Sequence, residues 1–404
     1  MDAQIKEVIK RVTAKESMMI DQLTTWCAIN TGSTHLKGLL KMKEALALAF
    51  TPLADSIESH TLPPFQTINL SGDTIQQSTG DLLFIRKRPK LNRRILLSGH
   101  MDTVFDQHHP FQHIKHLDKN TLNGPGVSDM KGGLIVMLHA LHAFELFPES
   151  EHMGWDIIIN ADEEIGSPAS ALFFQDINPH YEAAFVYEPA MDENGTLAKN
   201  RKGSGKLTLV ATGKAAHAGR DFDKGRNAIA YLAEVIVAIH ALNDKRPGVT
   251  LNIGQIAGGE ALNVVPDTAV IKIDVRITEP SDEAWVREQI NLIINQFKRA
   301  DYTLNVHGHF ARPVKRVDEK TTALFERAQM VGKFLSLDLQ WKDSGGCCDG
   351  NNFARLGLPV LDTLGVRGGN IHSQNEFVLL DSLVERATLT ALLMQNLTQK
   401  GLLS

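Results

Sequence analysis

The segment Ile157-Ile158-Ile159-Asn160-Ala161-Asp162-Glu163-Glu164-Ile165-Gly166 runs an apolar stretch straight into three consecutive carboxylates. The apolar part reads as a buried strand. Three adjacent acids repel one another unless a cation or a proton offsets their charge. Loops at the ends of buried strands are where α/β proteins place ligands. One acid here can therefore bind a metal while its neighbour handles a proton; the ordinary alternative is a solvated acidic turn. Four more residues sit at or just after expected strands or glycine-rich turns: His100, Asp129, Glu188 and His372. Taken singly, each has an everyday explanation: a strand-end histidine, a helix cap, a surface acid before Pro189, a loop residue. Taken with Glu164, they form a mixed imidazole and carboxylate set, which suits zinc, with cobalt or manganese as substitutes. A carboxylate bridging two ions about 3.5–4 Å apart would make the set a two-metal hydrolytic site.

The elements that must position these residues can be read from the pattern. A chain of 404 residues is long enough for two or three domains. Residues 1–50 read as helical, broken by the turn Asn30-Thr31-Gly32-Ser33. Short strand-like runs follow at 66–86, then a clear strand at 94–99. The glycine-rich turn from Gly124 to Gly133 leads into an apolar helix at 134–147. A strand at 155–160, a helix near 168–175 and a strand at 183–187 continue the alternation. Such alternation gives a mostly parallel, mixed sheet with helices on both faces, an α/β fold. From 203 the order changes to strand 205–212, helix 226–242, strands 249–257 and 269–277, helix 283–300 and strand 302–307. That β-α-β-β-α-β order is ferredoxin-like. A helix at 319–334, a strand at 358–361 and a helix at 381–397 close the chain. The expected division is a catalytic domain from 1–202 and 313–404, with an α+β lid or dimerisation domain inserted at 203–312.

Composition narrows the function. Hydrophobic residues are 43% and charged residues 22%, ordinary for a globular protein in water. A net charge of −5 offers no basic footprint, so nucleic acid is not an expected partner. There is no apolar run of about 18 residues, so no membrane span is expected. The first residues lack an apolar signal core, and three cysteines are too few for a disulfide framework; both point to the cytoplasm. His108, His109, His113 and His116 lie in a polar stretch without a supporting acid pattern and read as a solvated loop. His139 and His142 read as packed or surface residues on the helix after Gly133. There is no H-E-x-x-H and no G-x-S-x-G. Gly203-Ser204-Gly205-Lys206-Leu207 lacks the rest of a phosphate loop, and Gly124-Pro125-Gly126 lacks the rest of a dinucleotide fingerprint.

The joint pattern resembles one family. His100-x-Asp102, the Gly124–Gly132 turn with Asp129, Asp162-Glu163-Glu164-x-Gly166, Glu188-Pro189 and the late His372 are similar to the motifs of the co-catalytic zinc peptidases and deacylases. That family includes glutamate carboxypeptidase, aminoacylase, acetylornithine deacetylase and succinyl-diaminopimelate desuccinylase. The resemblance implies two zinc ions per chain. Asp129 would bridge them, His100 and Glu188 would complete one site, and Glu164 and His372 the other. Asp102 would orient His100, and Glu163 would be the general base. Lys214-Ala215-Ala216-His217-Ala218-Gly219 resembles the family's lid motif, which implies that His217 reaches a partner subunit's site in a homodimer and stabilises the oxyanion. Asn263 and Arg276, in Asn263-Val264-Val265-Pro266 and Asp274-Val275-Arg276, resemble the glutamate carboxypeptidase pair that holds a substrate carboxylate; otherwise Arg276 is a salt bridge on a strand. Cys347 and Cys348 stand where the family has Gly, Ser or Thr, while Asp349 and Asn351 either contact substrate or cap the loop. The implied activity is a glutamate-carboxypeptidase-like release of a C-terminal amino acid from small peptides or N-acyl amino acids. Deacylation of an N-acyl amino acid is the alternative, and a non-catalytic binding protein the remote one.

Overall fold

In the computed structural model, which describes residues 3–177 and 181–402, the runs Arg94–His100 and Gly154–Asn160 are strands with every residue buried. They pair in parallel within a six-stranded sheet. The order is Ser56–His60, Leu82–Lys87, Gly154–Asn160, Arg94–His100, Ala183–Val186, Val360–Leu361. The last four strands are parallel, and the first two are antiparallel additions at one edge. Side chains alternate between the two faces of a strand. Ile95, Leu97, Ile157 and Ile159 therefore enter one core, packed with the helices Glu16–Cys27, Lys131–Phe144 and Asp381–Lys400. Leu96 and Ile158 enter the other, with Phe174 and Phe353 from the short helices Ser170–Gln175 and Gly350–Arg355. Continuous apolar strands are what a sheet covered on both faces needs. This is the expected α/β class.

The parallel register decides where the chemistry goes. His100 lies beside Asn160, and Ser98 beside Val186. The segments carrying His100, Glu163–Glu164 and Glu188 thus leave the sheet at one end. Every residue of the helix Lys131–Phe144 except His142 is buried. It packs so closely that a Cβ at Gly133 would collide with the carbonyl oxygen of Tyr187. Only glycine permits that approach, which brings the Asp129 turn against the Tyr187–Glu188 strand end.

The sheet and its helices form one compact unit, Met1–Pro63, Ser78–Arg201 and Lys315–Ser404. Lys202–Val314 forms the other and takes with it Pro64–Gln77. The second unit has a four-stranded antiparallel sheet in the order Thr250–Gly258, Thr268–Ile277, Gly203–Thr212, Thr303–Arg312. Leu207, Leu209 and Ala211 face the helices Ala228–His240 and Pro280–Gln296. Val210 and Val270 point to the opposite face, where Ile68 of the hairpin Phe65–Ile68/Thr74–Gln77 covers them. The sequence pattern left that hairpin with the 1–202 segment. It belongs to the second unit because the β-α-β-β-α-β layer has an apolar back face to bury. The N-terminal 50 residues form three helices, Ala3–Thr13, Glu16–Cys27 and Leu36–Phe50, rather than two. Among the described residues no helix is long and apolar enough to cross a membrane.

Candidate metal centre

His100 ends its strand almost fully buried. Its Nδ1 lies 3.0 Å from the carbonyl oxygen of Asp102 and 3.3 Å from Asp102 Oδ1, partners that only accept. The proton of a neutral ring therefore belongs on Nδ1. Nε2 then faces Asp129 Oδ1 at 3.1 Å and Glu188 Oε1 at 3.7 Å with a lone pair. On the far side of Asp129, Oδ2 stands 3.3 Å from His372 Nε2, and Glu164 Oε2 is 3.2 Å from the same nitrogen. Each oxygen of Asp129 thus faces one imidazole nitrogen, and each of those nitrogens faces one further carboxylate. On the His100 side, a neutral ring sets a nitrogen lone pair against carboxylate lone pairs, so that side needs a positive charge between them.

Electrostatics state the same need. Burial, then the charge of Asp129, pushes Glu164 up to about 8. The same two causes, in the same order, push Glu188 well above the carboxylate range. Burial works against a charged His100, yet Asp102, Asp129 and Glu188 outweigh it and raise its pKa well above normal. Hydrogen bonds to Asp129 and Glu164 push His372 up to about 11. The donor set fits divalent cations: ligand atoms of His100, Asp129 and Glu164 lie within 4.8 Å of one another, as do those of His100, Glu163 and Glu188. These acids and His372 line a cavity of about 370 Å³. Residues 108–116 supply no such group, and His109 accepts the backbone N–H of Phe111.

Asp102 does more than orient His100. Its Oδ1 accepts the N–H of Glu163 and its Oδ2 that of Glu164, each at 3.2 Å, and Ser33 Oγ donates to Oδ2 at 2.7 Å. One buried carboxylate therefore fixes a candidate ligand of each half and the main chain of the candidate base. Of the three consecutive acids, Asp162 turns inward. It accepts the N–H groups of Ala169 and Ser170 at 2.9 and 3.0 Å, and burial raises it to about 6. Glu163 and Glu164 face the cavity. His372 sits at φ 62°, a left-handed conformation rarely adopted outside glycine unless the surroundings impose it.

Asp349 and Asn351 are both buried. Ser167 Oγ and Asn160 Nδ2 donate to Asp349 at 2.6 and 2.8 Å, and Asn351 Oδ1 accepts the N–H of Cys348. This is the loop-capping alternative. Cys347 lines the cavity, whereas the Cys348 thiol is buried 3.4 Å from Asp362. Two residues carry no motif yet belong to the site. Glu376 accepts three N–H groups of the Asp129 turn. Arg201 lines the cavity while its Nε and Nη2 hold Asp362 at 2.6 and 2.9 Å. Its only sequence signal was a short basic run, Lys199–Lys202, which looks like any linker.

The remaining candidates lie in the second unit. The ribbon Ala216–His217/Val264–Val265 sets His217 opposite Val264, and Ala218 donates to the carbonyl of Asn263 at 2.9 Å. His217 Nδ1 accepts the N–H groups of Gly219 and Arg220 at 3.1 and 3.2 Å. A neutral His217 must then carry its proton on Nε2, as a donor. Arg276 forks Asp274 through Nε and Nη2 at 2.6 and 3.1 Å.

A model of peptidase family M20/M25/M40 matches residues 96–396. Carboxypeptidase G2 of Pseudomonas sp. is 25% identical over 320 residues, covering 79% of this chain and 77% of that protein. A succinyl-diaminopimelate desuccinylase of Psychrobacter sp. is 26% identical over 336 residues, covering 75% and 79%. Among solved structures, a di-peptidase from Saccharomyces cerevisiae superposes with a TM-score of 0.76 at 14% identity, over 99% of this chain and 100% of that one.

Proposed function

The chain belongs to peptidase family M20/M25/M40 and is a metallopeptidase or amidohydrolase, and from that premise we propose a dinuclear zinc enzyme that releases a C-terminal amino acid from small peptides or N-acyl amino acids. The observation that carries the two-metal part is Asp129, whose two oxygens each face a different imidazole nitrogen, each of which also faces a further carboxylate. His100 and Glu188 would complete one zinc site, Glu164 and His372 the other. Bound there, the ions supply Lewis-acid polarisation and acidify water. Glu163 accepts the proton of the water that adds to the scissile carbonyl carbon. It returns that proton to the nitrogen as the C–N bond breaks. His217 donates from Nε2 to the developing oxyanion, reaching it from the partner subunit of a homodimer built through the second unit. Asn263 and Arg276 hold the substrate's free carboxylate, with Arg276 turning part of its fork away from Asp274. Arg201 adds a cation to the cavity wall, where a carboxylate-bearing substrate needs one. A cytoplasmic location agrees with three free cysteines.

Zinc-loaded protein should release amino acid from dipeptides ending in Glu or Asp faster than from N-acetyl amino acids. Preference for N-acetyl substrates would move the chain to the deacylase reading, with the same catalytic residues. Silence on both panels would refute the activity.

A further inference from the structure

The side-chain oxygens of Asp129 face His100 and His372 and do nothing to fix Asp129's own main chain. In the turn that carries it, Gly124-Pro125-Gly126-Val127-Ser128-Asp129, the carbonyl of Gly124 accepts the N–H of Val127 at 3.3 Å, but Ser128 Oγ is buried without a hydrogen-bond partner and accepts nothing from Gly126, Ser128 or Asp129. The missing acceptor comes from about 250 residues away. Glu376 Oε1 accepts the N–H groups of Ser128 and Asp129 at 2.9 and 3.0 Å, and Oε2 accepts that of Gly126 at 3.2 Å. Its main-chain carbonyl accepts Asn123 Nδ2 at 2.7 Å. Glu376 has no solvent-accessible surface.

Glu376 follows His372 by four residues. Both lie between Gly368–Gly369 and Phe377–Leu379, which pair as a hairpin; Phe377–Leu379 also pairs with Thr121–Asn123. One small sheet therefore roots the loop of His372 and the turn of Asp129 together. We propose that Glu376 is the positioning residue of the dinuclear centre. It clasps the bridging Asp129 to the His372 loop, so that ligands from distant parts of the chain are in register before an ion arrives. This rests on the dinuclear reading of the site, but Glu376 itself is assigned no contact with ion or substrate. Three converging N–H groups call for a carboxylate, which only accepts and has two oxygens to share among them. An amide keeps one accepting oxygen and turns an NH₂ group toward the remaining N–H, and a buried donor left unpaired is costly.

The test uses the full chain, stripped with chelator and titrated with zinc or cobalt. Glu376→Gln should bind metal 10–100-fold more weakly, the usual cost of losing a group that orients a ligand, and should alter the visible spectrum of the cobalt form. Glu376→Asp, which keeps the charge but withdraws it by one methylene, should lose as much. Wild-type affinity and spectrum in Glu376→Gln would overturn the proposal, and so would wild-type behaviour in Glu376→Asp alone, which would leave charge as the cause. If the variants fail to fold, hydrogen exchange on ion-free wild-type protein decides: the amides of Gly126, Ser128 and Asp129 should exchange slowly, and fast exchange refutes a preformed clasp. Wild-type protein that binds no metal would instead refute the dinuclear reading, and the exchange result would still stand on its own.

Discussion

Replacing Glu163 with Gln separates its two possible roles by sign. A carboxylate oxygen of Glu163 lies close enough to His100 and Glu188 to be a third ligand, so distance alone does not make it the base. Its main chain is anchored by Asp102, which the substitution leaves intact. The charge of Glu163 is also one of the causes that raise Glu164 and Glu188. Removing that charge eases ionisation of two proposed ligands. If Glu163 is the base, metal affinity in Glu163→Gln should stay the same or rise. Turnover should fall by the contribution of a positioned base, about 10²–10⁴-fold. At about 1.4 kcal/mol per factor of ten, that is roughly 3–5 kcal/mol of barrier. The assay pairs metal content after gel filtration with single-turnover amino-acid release, so that chemistry is not hidden by product release. Loss of an ion together with activity would refute the argument and make Glu163 a ligand.

Asp129→Asn removes the charge shared by both halves, so neither ion should survive gel filtration; retention of one full equivalent would refute bridging. His217→Gln should slow turnover with unchanged metal content. Mixing it with Glu163→Gln should restore some activity through hybrid sites, and verified heterodimers with none would rule out action across subunits. Asp362→Ala strands Arg201 and Lys315, which share that carboxylate inside the fold, and should cost about 3–5 kcal/mol in urea denaturation of ion-free protein; an unmoved midpoint would show that the network carries no stability.

How much of this was legible in the sequence depends on how far each residue's partner lies along the chain. His100, Glu164 and Glu188 announce themselves because strand ends in a parallel sheet have a fixed direction and local pattern shows it. The inward turn of Asp162 needs Ala169 and Ser170 above it, contacts within one loop that periodicity does not encode. The strands of the hairpin at 65–77 carry only Phe65, Ile68 and Ile75 as apolar residues, and nothing local tells which apolar face they will cover. Glu376 and Arg201 are invisible for the same reason in a stronger form. A carboxylate in a polar loop looks like surface until the amides it meets, 247–250 residues earlier, are folded over it. Arg201 becomes a cavity residue only once Asp362, 161 positions later, has claimed one edge of its guanidinium.

Long-range assembly also fixes the charge state in which the site waits for metal. Without ions, the two imidazoles are the nearest source of positive charge for Asp129, Glu164 and Glu188, and both are raised far above an ordinary histidine, His372 to about 11. Glu164 at about 8 also keeps its proton near neutral pH. Ligation needs neutral imidazole and ionised carboxylate, so loading must expel these protons. The sign follows: a folded, ion-free site that holds protons up to pH 8 or beyond loses them to metal, and apparent affinity rises with pH through the neutral range, by about tenfold per unit for each proton released. Calorimetric titrations in two buffers of different ionisation enthalpy would count those protons. At pH 7 the count should be two or more for full loading. A count near zero would mean that the imidazoles are already neutral and Glu164 already ionised in the ion-free site, and would refute this reading of its charge state.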